Sequence, residues 1–160
     1  MHKTRNDLAL DIRRPVVDLL NARLADLIDL NLQAKQAHWN VKGPNFIALH
    51  ELFDKLAEEV EESVDEVAER AIALGGTAKG TVAAVSKTTQ LSAYPLDIVQ
   101  GVDHLNALSN ALATTGKSIR AAIEESGKLG DADTSDLFTG ISRSLDKLLW
   151  MLEAHLQADK

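Results

Sequence analysis

Between Phe46 and Leu74 the chain contains neither glycine nor proline, and this uninterrupted run sets the terms for everything around it. Asn45 stands where a helix cap is favoured and Gly75-Gly76 where a helix ends, so the run predicts one helix from about Asn45 to Leu74. On a 3.6-residue repeat, Leu49, Phe53, Leu56, Val60, Val64, Val67 and Ala71 share a stripe, which is an ordinary core-facing pattern. The adjoining stripe is unusual. There His50, Asp54, Glu58, Glu61, Glu62, Asp65 and Glu69 crowd into roughly a third of the circumference.

Two spacings on that stripe, His50-x-x-x-Asp54 and Asp65-x-x-x-Glu69, place side chains one above the other, where each pair can hold a cation between them. Each is half of a metal site. Iron and manganese sites in helical bundles combine imidazole nitrogen with carboxylate oxygen, and a cation removes the like-charge cost of such a cluster. Asp54 and Asp65 are eleven positions apart, however, which separates them by roughly 16 Å along one helix, too far to share an ion. A second copy packed antiparallel about a two-fold axis near Glu59 and Val60 brings His50 level with the partner's Glu69, and Asp54 level with the partner's Asp65. Such a dimer builds two identical sites. His38 joins this set because it lies about as far before the turn at Val41 to Pro44 as His50 lies after it. It also shares the inward stripe Leu20, Leu24, Leu27, Asn31, Ala34 of the preceding helix. An acidic helix face alone reads as solvated surface. Two histidines flanking one tight turn, with carboxylate pairs at matched two-fold spacing, point instead to metal.

The run KQAHWNVKGPNFIALHELFD from Lys35 to Asp54, then Asp65, AERAIALGG from Ala68 to Gly76, AYPLDI from Ala93 to Ile98 and SRSLDKLLWMLEAHLQ from Ser142 to Gln157 resemble the Dps family of mini-ferritins and DNA-protection proteins. The likeness covers nearly the whole chain. It implies an all-α, ferritin-like four-helix bundle with a short extra helix in the middle crossover, assembled as a hollow dodecamer from two-fold dimers. It also implies ferroxidase sites between subunits, with two iron positions each, on His38, His50, Asp54, Asp65 and Glu69, the set already selected by spacing. The implied activity is oxidation of Fe(II), preferably by hydrogen peroxide, with ferric mineral stored inside and DNA protected from oxidative damage. By the same resemblance, Trp39 beside the iron site takes up oxidising equivalents, and Asp131, Asp133 and Asp136 line a three-fold pore that admits Fe(II). Read from the residues alone, Trp39 is a packing aromatic and the three aspartates cap a helix and offset its dipole.

The remaining chain fits this frame. A length of 160 residues with 45% apolar content suits one domain with a proper core, and strand-type alternation is absent. Residues 1–14 read as an extended N-terminal tail and 15–157 as the ferritin-like domain, with Pro15 in the first turn of the first helix. A short helix is expected from about Val82 to Ser86, within a crossover too long for a tight connection. Pro95 is read as opening the third long helix, which ends near Ser126-Gly127, and the last begins near Thr134. His104 falls in a surface-like register and His155 near the C-terminus also reads as a surface histidine. No cysteine, no apolar leader and no membrane-length apolar run are present, so a soluble cytoplasmic protein is expected, with nucleoid association as a further option.

Two competing readings differ in class. DNA binding would rest on a basic tail, but Lys3, Arg5, Arg13 and Arg14 are opposed by Asp7 and Asp11, the C-terminal QADK is not basic, and the formal charge is −7. An intrachain di-metal oxygenase or a larger ferritin would carry Glu-x-x-His pairs within one chain, and none occurs.

Overall fold

The computed structural model describes residues 1–157, so Ala158, Asp159 and Lys160 of the C-terminal QADK lie outside the described residues. Five helices follow in order: α1 (Leu10–Asn40), α2 (Phe46–Ala73), α3 (Val82–Thr88), α4 (Gly101–Leu129) and α5 (Ala132–Ala154). Among the described residues there is no β-strand, only an isolated bridge between Lys42 and Gln100. The four long helices form a ferritin-like bundle with α3 in the middle crossover, as the sequence predicts.

Helices α1 and α2 make one antiparallel hairpin. Hydrogen bonds mirrored about its turn join them, from Arg13 Nη1 to Leu74 O (2.9 Å) at one end to Asn31 Nδ2 and Ala57 O (2.7 Å) in the middle. The second hairpin, α4 with α5, turns in two residues. Gly130 ends α4 at φ +92°, a left-handed conformation that suits glycine, and Asp131 starts α5 by accepting from Thr134 N. The inner stripes of all four helices meet in one core whose largest sealed side chains include Phe53, Phe138, Leu20, Leu108 and Ile119.

The crossover that links the hairpins is held by a row of polar side chains on α1. Asn21 donates to Thr77 O (3.1 Å) and accepts from Lys79 N (2.8 Å). Asp26, only 1% exposed, accepts from Gln90 N (2.9 Å) and pairs with Arg23 (3.1 Å). Asp29 accepts from Thr89 Oγ1, and Gln33 donates to Ser92 O. Without these partners the crossover's backbone groups would lie unsatisfied against the bundle.

Several boundaries depart from expectation. Helix α1 begins at Leu10, inside the expected tail, and Pro15 lies within it. Arg13 stabilises this early start by donating to Leu8 O (2.8 Å) as well as to Leu74 O. The segment before it is also tied down, with His2 N donating to Gly75 O (2.6 Å). Asn45 makes no side-chain cap bond. Pro95 does not open α4: the chain bends at Leu96 and Asp97 and stays non-helical to Gln100, and Lys42 N donates to Val99 O (3.2 Å). Helix α5 starts two residues before Thr134, and α3 runs two residues past Ser86. His104 is not at the surface. It is 1% exposed, covered by Tyr94 from the crossover.

Candidate metal centre

The α1–α2 turn folds His38 and His50 face to face, with ring centroids 3.7 Å apart and planes 21° from parallel. Each ring is fixed by the other's backbone: His38 Nδ1 donates to His50 O (2.8 Å), and His50 Nδ1 donates to His38 O (2.9 Å). A carbonyl oxygen can only accept, so both rings carry a hydrogen on Nδ1, and the neutral form of each keeps its lone pair on Nε2. Orienting one ring nitrogen through a backbone carbonyl is how ligating histidines are commonly presented to a metal. The reciprocal exchange does this for two imidazoles within one turn.

Asp54 completes the cluster one helical turn below His50. Its Oδ1 lies 3.9 Å from His38 Nδ1 and accepts from Lys35 Nζ (2.5 Å). The Lys35 hydrogen bond holds the Asp54 carboxyl below the usual carboxylate range, with the nearby imidazoles acting in the same direction and partial burial opposing them. Lys35 is not among the residues that ligand spacing selects, although its position one turn before His38 on the same helix face is the signal that could have found it. Its ammonium stands where a cation would neutralise Asp54.

Asp65 and Glu69 lie further along α2, both exposed, and neither forms an ion pair among the described residues. Helix α2 is continuous across the interval, so the separation of roughly 16 Å from Asp54 stands. One chain therefore presents an imidazole pair with Asp54 at one level and a carboxylate pair at another. Among the described residues no three such groups converge closely enough to hold an ion by themselves. Glu58, Glu61, Glu62 and Asp65 line a shallow acidic groove between the two levels, with Val64 and Ala68 as its apolar floor.

The other candidate residues separate. Trp39 is 66% exposed, next to the imidazole pair in sequence but outside its hydrogen bonding. Asp131 is 1% exposed and consumed: it caps α5 and accepts from Arg70 Nη2 (2.8 Å), while Arg70 Nε donates to Thr134 Oγ1 (2.9 Å). This is the capping role read from the residues, and both carboxylate oxygens of Asp131 are hydrogen-bonded within the chain. Asp133 and Asp136 do face outward, at the start of α5.

A family model described as a ferritin-like domain matches residues 17–160. The DNA protection during starvation protein of Agrobacterium fabrum is 51% identical over 156 residues, covering 98% of this chain and 96% of the relative. Among solved structures, Dps from Mycobacterium smegmatis superposes with a TM-score of 0.93 at 35% identity, covering 99% of this chain and 95% of that one. The Dps protein of Vibrio cholerae O1, described as a member of a broad superfamily of ferritin-like diiron-carboxylate proteins, gives 0.91 at 26% identity, covering 98% of each. Helix order, crossover helix, matched length and sequence identity agree, and the chain belongs to the Dps family of ferritin-like proteins.

Proposed function

We propose that this protein oxidises Fe(II), preferably with hydrogen peroxide, at sites shared between two subunits and stores the ferric product inside a hollow dodecamer. The observation that carries this reading is the reciprocal His38–His50 exchange. It leaves Nε2 of both rings free of the exchange, with Asp54 one helical turn from His50, and the complementary carboxylates, Asp65 and Glu69, lie too far along the same helix to join them. An antiparallel partner supplies the missing half, giving two iron positions per site, with Glu69 as the carboxylate that bridges them. The ferritin-like diiron-carboxylate description of the Vibrio cholerae relative supports iron as the metal.

Each of two Fe(II) ions gives one electron, and hydrogen peroxide is reduced to water without release of hydroxyl radical. Fe(II) enters past Asp133 and Asp136, and Trp39 takes up stray oxidising equivalents. The ferric product hydrolyses and nucleates on carboxylates among Glu58, Glu61, Glu62 and Glu66. Consuming iron and peroxide together protects DNA, in keeping with the name of the Agrobacterium relative, and the reading is of a cytoplasmic protein. No described helix is long and apolar enough to cross a membrane.

The test is stopped-flow absorbance of Fe(II) oxidation by peroxide and by dioxygen on metal-free protein, paired with the assembled mass. His50→Ala and Asp54→Ala should each lose about 10- to 100-fold or more in the peroxide reaction, and wild-type rates in either would refute the assignment. Activity should fall in mildly acid solution, because a protonated imidazole has no lone pair to give a metal. Asp54, held low by Lys35, stays ionised through that range and does not set the acid limb.

Direct DNA binding is a second reading, favoured by Lys3, Arg5 and Arg14, which are exposed. The docking of His2 onto Gly75 and the use of Arg13 within the fold weigh against a free basic arm. A gel shift at low salt decides it: no retardation ends this reading.

A further inference from the structure

Burial of His104 leaves a polar atom that the bundle does not explain. Its Nδ1 is 2.6 Å from the phenol oxygen of Tyr94, while its Nε2 is sealed from solvent with no hydrogen-bond partner among the described residues. Burial pushes the imidazole toward its neutral form, against a smaller pull from Asp103, and pushes the Tyr94 phenol well above its usual range. With the ring hydrogen on Nε2, the phenol O–H donates to Nδ1 of a neutral imidazole. Whichever way the ring hydrogen is placed, Nε2 stays unsatisfied, and an orphaned polar atom in a core calls for a reason beyond packing. Packing alone would be served better by an apolar side chain.

The position of the pair supplies the reason. Phe53 lies 6.4 Å from the His104 ring, centroid to centroid, and Phe53 directly precedes Asp54 on α2. Phe53, fully buried, thus stands as a ring neighbour of His104 and a chain neighbour of Asp54.

We propose that Tyr94 and His104 form a buried one-electron donor, in which Tyr94 gives up an electron and His104 Nδ1 takes the phenol proton. The oxidant is hydroxyl radical, formed when peroxide meets a single Fe(II) at a half-filled site, and to that extent the proposal rests on the function proposed above. In the step, the phenol O–H bond breaks and an N–H bond forms on His104. One electron passes to hydroxyl radical, giving hydroxide, a neutral tyrosyl radical and an imidazolium. The pair differs from the exposed Trp39 in having its proton acceptor built in.

Tyr94 is the sole tyrosine in the chain, so any tyrosyl signal in electron paramagnetic resonance belongs to it. Assembled, iron-free protein would be oxidised by photogenerated tris(bipyridyl)ruthenium(III), and a second sample freeze-quenched after substoichiometric Fe(II) and peroxide. A tyrosyl signal is expected in both arms, absent in Tyr94→Phe, forming about a hundredfold slower in His104→Leu and slower in D2O than in H2O. His104→Gln, which retains a hydrogen-bond acceptor, keeps the fold in place should the leucine variant not assemble, and it too should slow the signal. Radical confined to tryptophan in the photochemical arm, an undiminished rate in both His104 variants, or no solvent isotope effect would each overturn the proposal. A photochemical signal with a silent iron arm would support the donor pair and overturn hydroxyl radical from a half-filled site as its oxidant, leaving the ferroxidase reading to its own kinetic test.

Discussion

At the scale of single residues, the two buried or half-buried histidine environments do opposite things with the same side chain. His38 and His50 spend their Nδ1 hydrogens on each other's backbone, which leaves Nε2 of each ring outside the exchange. His104 spends its Nδ1 on Tyr94 and keeps Nε2 inside. The first pair is legible from sequence, because a tight turn between two histidines at matched distances needs only helix geometry to bring them together. The second is not, because the residue that covers His104 arrives from the crossover, and helical periodicity carries no information about a neighbour from another segment. A stability consequence follows for His104. An imidazole in the unfolded chain titrates near about pH 6.5, while the buried one resists protonation. Above that pH both states are neutral and nothing is gained or lost. As pH falls below it, the unfolded chain binds a proton that the folded chain refuses, so stability declines until the lowered folded value is also passed. Thermal melts between about pH 7 and about pH 5 should show this decline, at most about 1.4 kcal/mol per pH unit for each subunit, and His104→Gln should flatten it.

At the scale of elements, each long helix is readable from its stripe, and the departures lie at the ends. Pro15 and Pro95 both read as first-turn residues, the usual place for proline. Arg13 overrides the first by bonding back to Leu8 O and across to Leu74 O, which lets α1 begin a turn and a half sooner. The pairing of Lys42 with the strand-like stretch before Gln100 overrides the second. Both are contacts between residues distant in sequence, which end rules cannot weigh. The α4–α5 corner shows the reverse, since GDAD spells out a cap and Asp131 provides it. Nothing in the local spacing reveals that Arg70 of α2 also closes on Asp131 and thereby joins the two hairpins. Asp131→Ala should remove the cap and strand a mostly buried guanidinium at once. A loss of about 2–4 kcal/mol is expected, read as a lower denaturant midpoint, while Asp133→Ala should change little.

At the scale of the whole molecule, the helix order and bundle architecture are legible and the candidate centre by half. Helix geometry alone sets His50 and Asp54 at one level of α2 and Asp65 and Glu69 at another, whereas the closure of Lys35 on Asp54 depends on how the α1–α2 hairpin packs. The row of Asn21, Asp26, Asp29 and Gln33 along α1 has its own bearing on the intact subunit. It clamps the middle crossover at several separate points, leaving the stretch around Gly80, Thr81 and Val82 exposed between them. Covalent continuity there contributes little to holding the second hairpin against the first. Two gene fragments divided between Gly80 and Thr81, expressed together, should find each other and co-purify as a reconstituted subunit, and Asp26→Ala in the first fragment should weaken that recovery. A protein whose halves reunite in this way offers its crossover as a place where foreign sequence can be inserted.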